Sequence, residues 1–190
     1  MKKLLGIVVL CLLLINPSQA DDIKEFQIEG MSIGDSLLDY LTKDNIESNK
    51  AFYAGKKKYY RIQLNKTKPE NFDIIFGVGE TGDKKFIIHS LEAFINFNKN
   101  NFEECFIKKK EIVTEVSKLF PYTTAEEKEY THPYDKTKKS MVYRSKYRLN
   151  SGGIEITCFD MSKKTGQIDS LALAIYTKKF NEWLTNEAYK

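Results

Sequence analysis

The stretch Phe26-Gln27-Ile28-Glu29-Gly30-Met31-Ser32-Ile33-Gly34-Asp35-Ser36-Leu37-Leu38-Asp39-Tyr40-Leu41 decides how the chain is read. Ser32-Ile33-Gly34-Asp35 has the spacing of a capping box, with Ser32 as cap and Asp35 in the first helical turn, where the helix dipole favours a carboxylate. Ile33, Leu37, Leu38 and Leu41 recur at helical spacing and predict an amphipathic helix. Gly30 supplies a bend between a short strand and that helix. On this reading Ser36 faces solvent.

Upstream, Met1-Lys2-Lys3 and the apolar run Leu4 to Ile15 read as the charged and hydrophobic regions of a secretory signal peptide. Pro17-Ser18-Gln19-Ala20 ends in the small residues a signal peptidase accepts, so cleavage is expected after Ala20. The run is shorter than the about 20 apolar residues of a membrane span, and none is expected in the mature chain. Cys11 does not read as a lipid-attachment site, because Leu10 before it is not small. The expectation is a periplasmic or secreted protein, with residues 1–20 as leader and 21–190 as one domain.

The whole chain carries a net charge of +4, and losing Lys2 and Lys3 leaves +2. That near-balance argues against a nucleic-acid binder, which needs a strongly basic face.

Downstream, Asp44 to Gly55 is polar and reads as a loop. Tyr60, Ile62 and Leu64 alternate with Arg61 and Gln63 as a half-buried strand. Phe72, Ile74, Phe76 and Val78 alternate in a second strand, and Phe86 to Phe97 forms a third after the Gly82-Asp83 turn. Asn101 is the expected cap, with Glu104 three residues on, of a helix carrying Phe102, Cys105, Phe106, Ile112, Val113, Val116, Leu119 and Phe120 on one side. Pro121 closes it. Tyr122 to Lys139 is irregular, with room for a strand around Glu129.

Met141, Tyr143, Tyr147 and Leu149 then alternate with Val142, Arg144, Lys146 and Arg148. Asn150 to Gly153 reads as a hairpin turn that places Arg148 opposite Glu155. Strands around Ile154 to Cys158 and Leu171 to Ile175 follow, and Thr177 caps a last helix with Phe180, Trp183 and Leu184 inward. The fold class is α+β: antiparallel meanders packed on helices, in the order helix, three strands, helix, three strands, helix. A duplicated helix-plus-meander unit fits that order, without a residue-level repeat.

Cys105 falls on the apolar stripe of its helix and Cys158 on the apolar face of its strand. An even thiol count in an exported chain predicts a disulfide between them. His89 and His132 have no ligand spacing, and no metal or other cofactor is expected. Lys57, Tyr59, Arg144, Lys146 and Arg148 are the candidate binding surface, basic and aromatic-flanked, suited to an anionic ligand or an envelope protein partner.

Gly34-Asp35-Ser36-Leu37 resembles the signature of the SGNH esterases, in which the Ser is the nucleophile. That resemblance would imply a small hydrolase using Ser36. Such a mechanism needs a His base, an Asp to orient it and oxyanion donors. The Gly-x-Asn-Asp string of those enzymes is missing here. Their C-terminal Asp-x-x-His has only Glu129-Tyr130-Thr131-His132 as a counterpart, in mid-chain. The run from Phe26 to Tyr40, the helix end Ser117-Lys118-Leu119-Phe120 and the ending Phe180-Asn181-Glu182-Trp183-Leu184 resemble a family of small exported proteins from AT-rich marine bacteria. That likeness spans most of the mature chain and implies no activity, ligand or catalytic residue. The strand, Gly30-Met31-Ser32 and helix order is also similar to small periplasmic helix-on-sheet modules that bind other proteins. The leading expectation is an exported, non-catalytic binding module. A hydrolase using Ser36 and an envelope structural protein are the alternatives.

Overall fold

The computed structural model describes residues 23–64, 69–97 and 101–190. The leader reading of Met1 to Ala20, Cys11 included, lies outside these residues, as does most of the connection after Leu64.

The chain is an α+β fold in which one antiparallel sheet of eight strands is the frame. Its first meander is β3 (Ala51–Tyr53), β4 (Lys56–Gln63), β5 (Ile74–Glu80) and β6 (Ile88–Phe97); its second is β7 (Glu126–Thr131), β8 (Met141–Arg148), β9 (Gly152–Asp160) and β10 (Asp169–Thr177). The strand order is β3-β4-β5-β6-β10-β9-β8-β7. Each meander therefore runs from an edge to the centre, where the last strand of one pairs antiparallel with the last of the other, Leu173 opposite Ala93. Each meander has four strands rather than three. The polar stretch after Asp44 is not a loop but α1 (Lys43–Ser48) and the short edge strand β3. Thr42 caps α1 through its side chain, a signal easily missed in a six-residue helix.

The helix predicted over Ile33 to Leu41 does not form. Gln27–Ile28 (β1) and Met31–Ser32 (β2) make a small hairpin instead, turning at Glu29 and Gly30, both with positive φ. Gly34 has φ +98°, outside the helical region. Asp35 does reach back to accept from the Ser32 N–H at 2.8 Å, half of the expected box. The complete capping box is four residues later: Ser36 caps a single 3-10 turn over Leu37–Asp39, with Asp39 as its partner. What holds this segment straight is the start of β6, since Gly34 N–H donates to Ile88 O and Ile88 N–H to Asp35 O.

The inner face of the sheet is the main core. The N-terminal segment covers the first meander, with Leu37 seated over Gly77 and Gly79. Helix α2 (Glu103–Leu119) covers the second, burying Cys105, Ile112 and Val116. Asn101 does not cap α2 with its side chain, which binds the Glu104 carboxylate at 3.1 Å. Cys105 and Cys158 form a disulfide with Cα atoms 6.0 Å apart, joining the first turn of α2 to the C-terminal half of β9.

Among the described residues the outer face is covered only at one end. There Thr177 caps α3 (Lys178–Trp183), and Phe180 and Trp183 pack on Tyr59, Val78 and Tyr176. Edge strand β7 reads Glu126-Glu127-Lys128-Glu129-Tyr130-Thr131; its charges discourage edge-to-edge pairing.

The β8–β9 hairpin differs from its predicted register. Leu149 and Gly152 bond each other, so the loop is the two residues Asn150-Ser151. Arg148 consequently pairs with Gly153, and Lys146 takes the place opposite Glu155. The shift is two residues, so every side chain keeps its predicted face. The glycines belong to the strand because β10 crosses too close for side chains: a Cβ on Gly152 would lie 2.0 Å from the Tyr176 carbonyl oxygen.

Candidate functional site

Three places warrant chemical attention: the turn holding Ser36, a cleft beside β4, and the uncovered outer face.

Ser36 is structurally committed. Its hydroxyl donates to the Lys85 carbonyl at 2.8 Å and accepts from Leu38 N–H at 3.2 Å. Its own N–H donates to Asp39. A nucleophilic serine instead gives its proton to a base, and neither His89 nor His132 bonds Ser36. His89 stands on β6 against Glu80, at 3.7 Å, and the Tyr59 ring. His132 stands between Tyr134 and Phe159 in the loop after β7. That loop is ordered by Asp135, whose carboxylate accepts from Thr137 and Ser140 through both backbone and side chain. These bonds hold the Asp135 carboxyl well below the usual carboxylate range.

The cleft beside β4 has a volume of about 430 Å³ and is lined by Leu41, Asn45, Asn49, Ala51, Arg61, Ile62, Gln63 and Phe76. Among the described residues Arg61 is its single ionisable lining group, and no carboxylate, histidine or lysine lines it to act as acid or base. Among the described residues, no three His, Cys, Asp or Glu side chains group so as to hold a metal ion.

The outer face is the richest surface, and its geometry follows from strand register. Glu92 on β6, Ala174 on β10 and Glu155 on β9 lie in one cross-strand row. Phe94, Ala172 and Thr157 form the next row, and Phe159 lies diagonally beyond. Two alanines at the centre leave a hollow of about 200 Å³ flanked by these side chains. The carboxylates are held in place. Arg61 meets Glu92 at 3.0 Å and stacks on Phe76 at 3.5 Å. Lys146 meets Glu155 at 2.6 Å, Tyr176 donates to the same oxygen at 2.9 Å, and Arg144 stands at 3.8 Å. Burial pushes the Glu92 carboxyl above its ordinary range, with Arg61 opposing the shift.

The residues singled out from sequence fall in different places. Tyr59 is buried beneath Phe180 and Trp183 and offers no ring to solvent. Lys57 is exposed on β4. Arg144, Lys146 and Arg148 do share the outer face of β8, but Glu155 engages the first two and Glu126 the third, at 3.0 Å. They form a paired network rather than a free basic patch. Glu92, Phe94, Thr157, Phe159 and the two alanines were not singled out. An alanine pair in the phase of outward residues was the available signal, since small outward residues at a sheet's centre leave a hollow.

No family model matches the chain, and no similar curated protein or solved structure was found. Among the described residues no helix is long and apolar enough to cross a membrane.

Proposed function

We propose that the protein is an exported, periplasmic or secreted, non-catalytic binding module, and that it binds through the uncovered outer face of its central strands. The observation that carries this reading is the hollow between Glu92 and Glu155. Charged side chains on an open sheet face normally extend into water. Here Glu92, Glu155 and Lys146 keep only 20%, 22% and 10% of their side-chain surface exposed. Their geometry is set before any ligand arrives, which lowers the ordering cost of binding. The leader-like N-terminus and the disulfide support an oxidising, exported setting. The hydrogen bonds of Ser36 and the lack of an acid or base in the β4 cleft weigh against the hydrolase alternative.

The test is site-specific photo-crosslinking in the native envelope fraction. A photoreactive phenylalanine at Phe94 or Phe159 should give discrete adducts, and one at Ile107, exposed on α2, should not. Equal adduct patterns from both faces, or none from the sheet, would reject the reading.

A further inference from the structure

We infer that the outer-face hollow is a binding site for a neutral, hydroxyl-rich ring, the chemistry of a single sugar unit. This rests on the binding reading above and assigns a ligand class to that face. Size comes first. At about 200 Å³ the hollow is smaller than the roughly 300–1,000 Å³ of sites for drug-sized ligands, so it admits one ring or one side chain.

Charge comes second. Among the described residues no cationic side chain lines the hollow, yet Arg61, Lys146 and Arg144 stand behind the two lining carboxylates. Three cations against two carboxylates leave no net attraction for a guest cation. An anion would meet Glu92 and Glu155 directly, with no cation lining the hollow. A neutral guest avoids both conflicts.

Hydrogen-bonding capacity comes third. Each carboxylate offers about four acceptor positions; Glu92 uses one for Arg61, and Glu155 accepts both its hydrogen bonds on Oε1, leaving Oε2 with Arg144 at 3.8 Å. Thr157 is 5% exposed and lines the hollow, and its side chain has no hydrogen-bond partner among the described residues. Its hydroxyl therefore opens to the hollow and is free to bond a guest seated there. The guest must donate to carboxylates, and hydroxyls do so strongly. Its remaining surface must be apolar, to meet Phe94, Phe159, Ala172 and Ala174. A sugar ring, with C–H faces and a rim of hydroxyls, has both properties.

The experiment is an amide-resolved NMR titration of the disulfide-intact protein. The probes are the methyl glycosides of glucose, galactose and N-acetylglucosamine, each to about 50 mM, a range suited to weak single-ring binding. Methylguanidinium chloride and sodium phosphate are the charged comparisons. At least one glycoside should shift the amides of Phe94, Thr157, Phe159, Ala172 and Ala174 saturably while those of α2 stay still. Ala172→Leu, which fills the hollow, should abolish the shifts with the rest of the spectrum retained. Thr157→Val, an independent variant should the first not fold, should weaken apparent affinity about fivefold, the effect of one hydrogen bond. Saturable shifts from methylguanidinium or phosphate in place of a glycoside would overturn the sugar assignment. So would silence from all three glycosides, or shifts that survive Ala172→Leu. Crosslinks from Phe94 and Phe159 that persist beside silent glycosides would overturn the ligand class alone. Loss of the face-specific crosslinks would remove the parent reading.

Discussion

Lys146 and Glu155 lie directly opposite each other on β8 and β9, with Nζ 2.6 Å from Oε1. The contact is largely withdrawn from solvent, and Tyr176 donates to the same carboxylate oxygen. Replacing Lys146 by Met keeps the stem's packing and removes the donor. The expected cost is about 1–3 kcal/mol, the range for a hydrogen bond to a charged group with a carboxylate left behind. Urea unfolding of Lys146→Met measures it. Arg148→Met is the comparison, since that side chain is well exposed and pairs with Glu126, and it should cost less than about 1 kcal/mol. Equal costs would contradict the register-based account.

Ser36 makes a cap, so its loss should be felt in stability rather than in chemistry. Ser36→Ala removes the acceptor for Leu38 N–H and the donor to Lys85 O. A decrease of about 1 kcal/mol is expected, the usual value for an N-cap. A fluorophosphonate probe should leave the wild-type protein unlabelled. Labelling that disappears in Ser36→Ala would restore the hydrolase alternative.

The Cys105–Cys158 bond closes a loop with a sequence separation of 53 residues. The chain-entropy model gives about 4 kcal/mol for a loop of that length. That is a large part of the about 5–15 kcal/mol typical of a domain. The Cys105→Ala, Cys158→Ala double variant should therefore show a markedly lower urea midpoint. The second meander carries the bond in its centre, so amides of β9 should lose more exchange protection than those of β4. Uniform loss across both meanders would show that the bond acts on the unfolded chain alone.

Strand periodicity made most of this fold legible, and its failures have physical causes. The alternation of Phe72, Ile74, Phe76 and Val78 marks a strand correctly, but Ile74, Phe76 and Val78 lie on the outer face. Ile75, Gly77 and Gly79 face the main core, because Leu37 and Tyr60 fill the space that side chains there would take. Glycine carries no hydropathy signal, so a core built by reaching over glycines is invisible to alternation. The helix stripe from Ile33 to Leu41 failed for a complementary reason. The apolar spacing is real, and Ile33, Leu37 and Leu41 are all buried, but Leu38 is 42% exposed. Backbone bonds to Ile88 and Phe86 outweigh about two and a half turns of weak local propensity. The disulfide was legible because two periodicities, 3.6 on α2 and 2 on β9, each turn a Cys to one interface. The outer hollow was not, since it depends on which strands meet at the sheet's centre, and β6 beside β10 is a long-range pairing.

His89 is half-buried beneath the C-terminal cover, its Nε2 3.7 Å from Glu80 Oε2 and its ring edge-on to Tyr59 at 5.4 Å. Tyr59 in turn lies 4.9 Å from the ring of Trp183. Burial lowers the pKa of His89 and outweighs the pull of Glu80 and Asp83; Lys179, bonded to Glu80 at 2.8 Å, adds to the lowering. A histidine that resists protonation when folded takes up a proton more readily when unfolded. Unfolding is therefore favoured as pH falls below the ordinary histidine value of about 6.5, and stability is regained as pH rises. Trp183 is the only tryptophan in the chain, so its fluorescence reports on the cover without interference. Between pH 7.5 and about 5.5 the wild-type melting temperature, followed by Trp183 emission, should fall. His89→Gln removes the titrating group and should flatten that fall. Glu80→Gln removes the carboxylate that partly offsets burial and should steepen it. A variant series with one common slope would show that other groups govern the acid response.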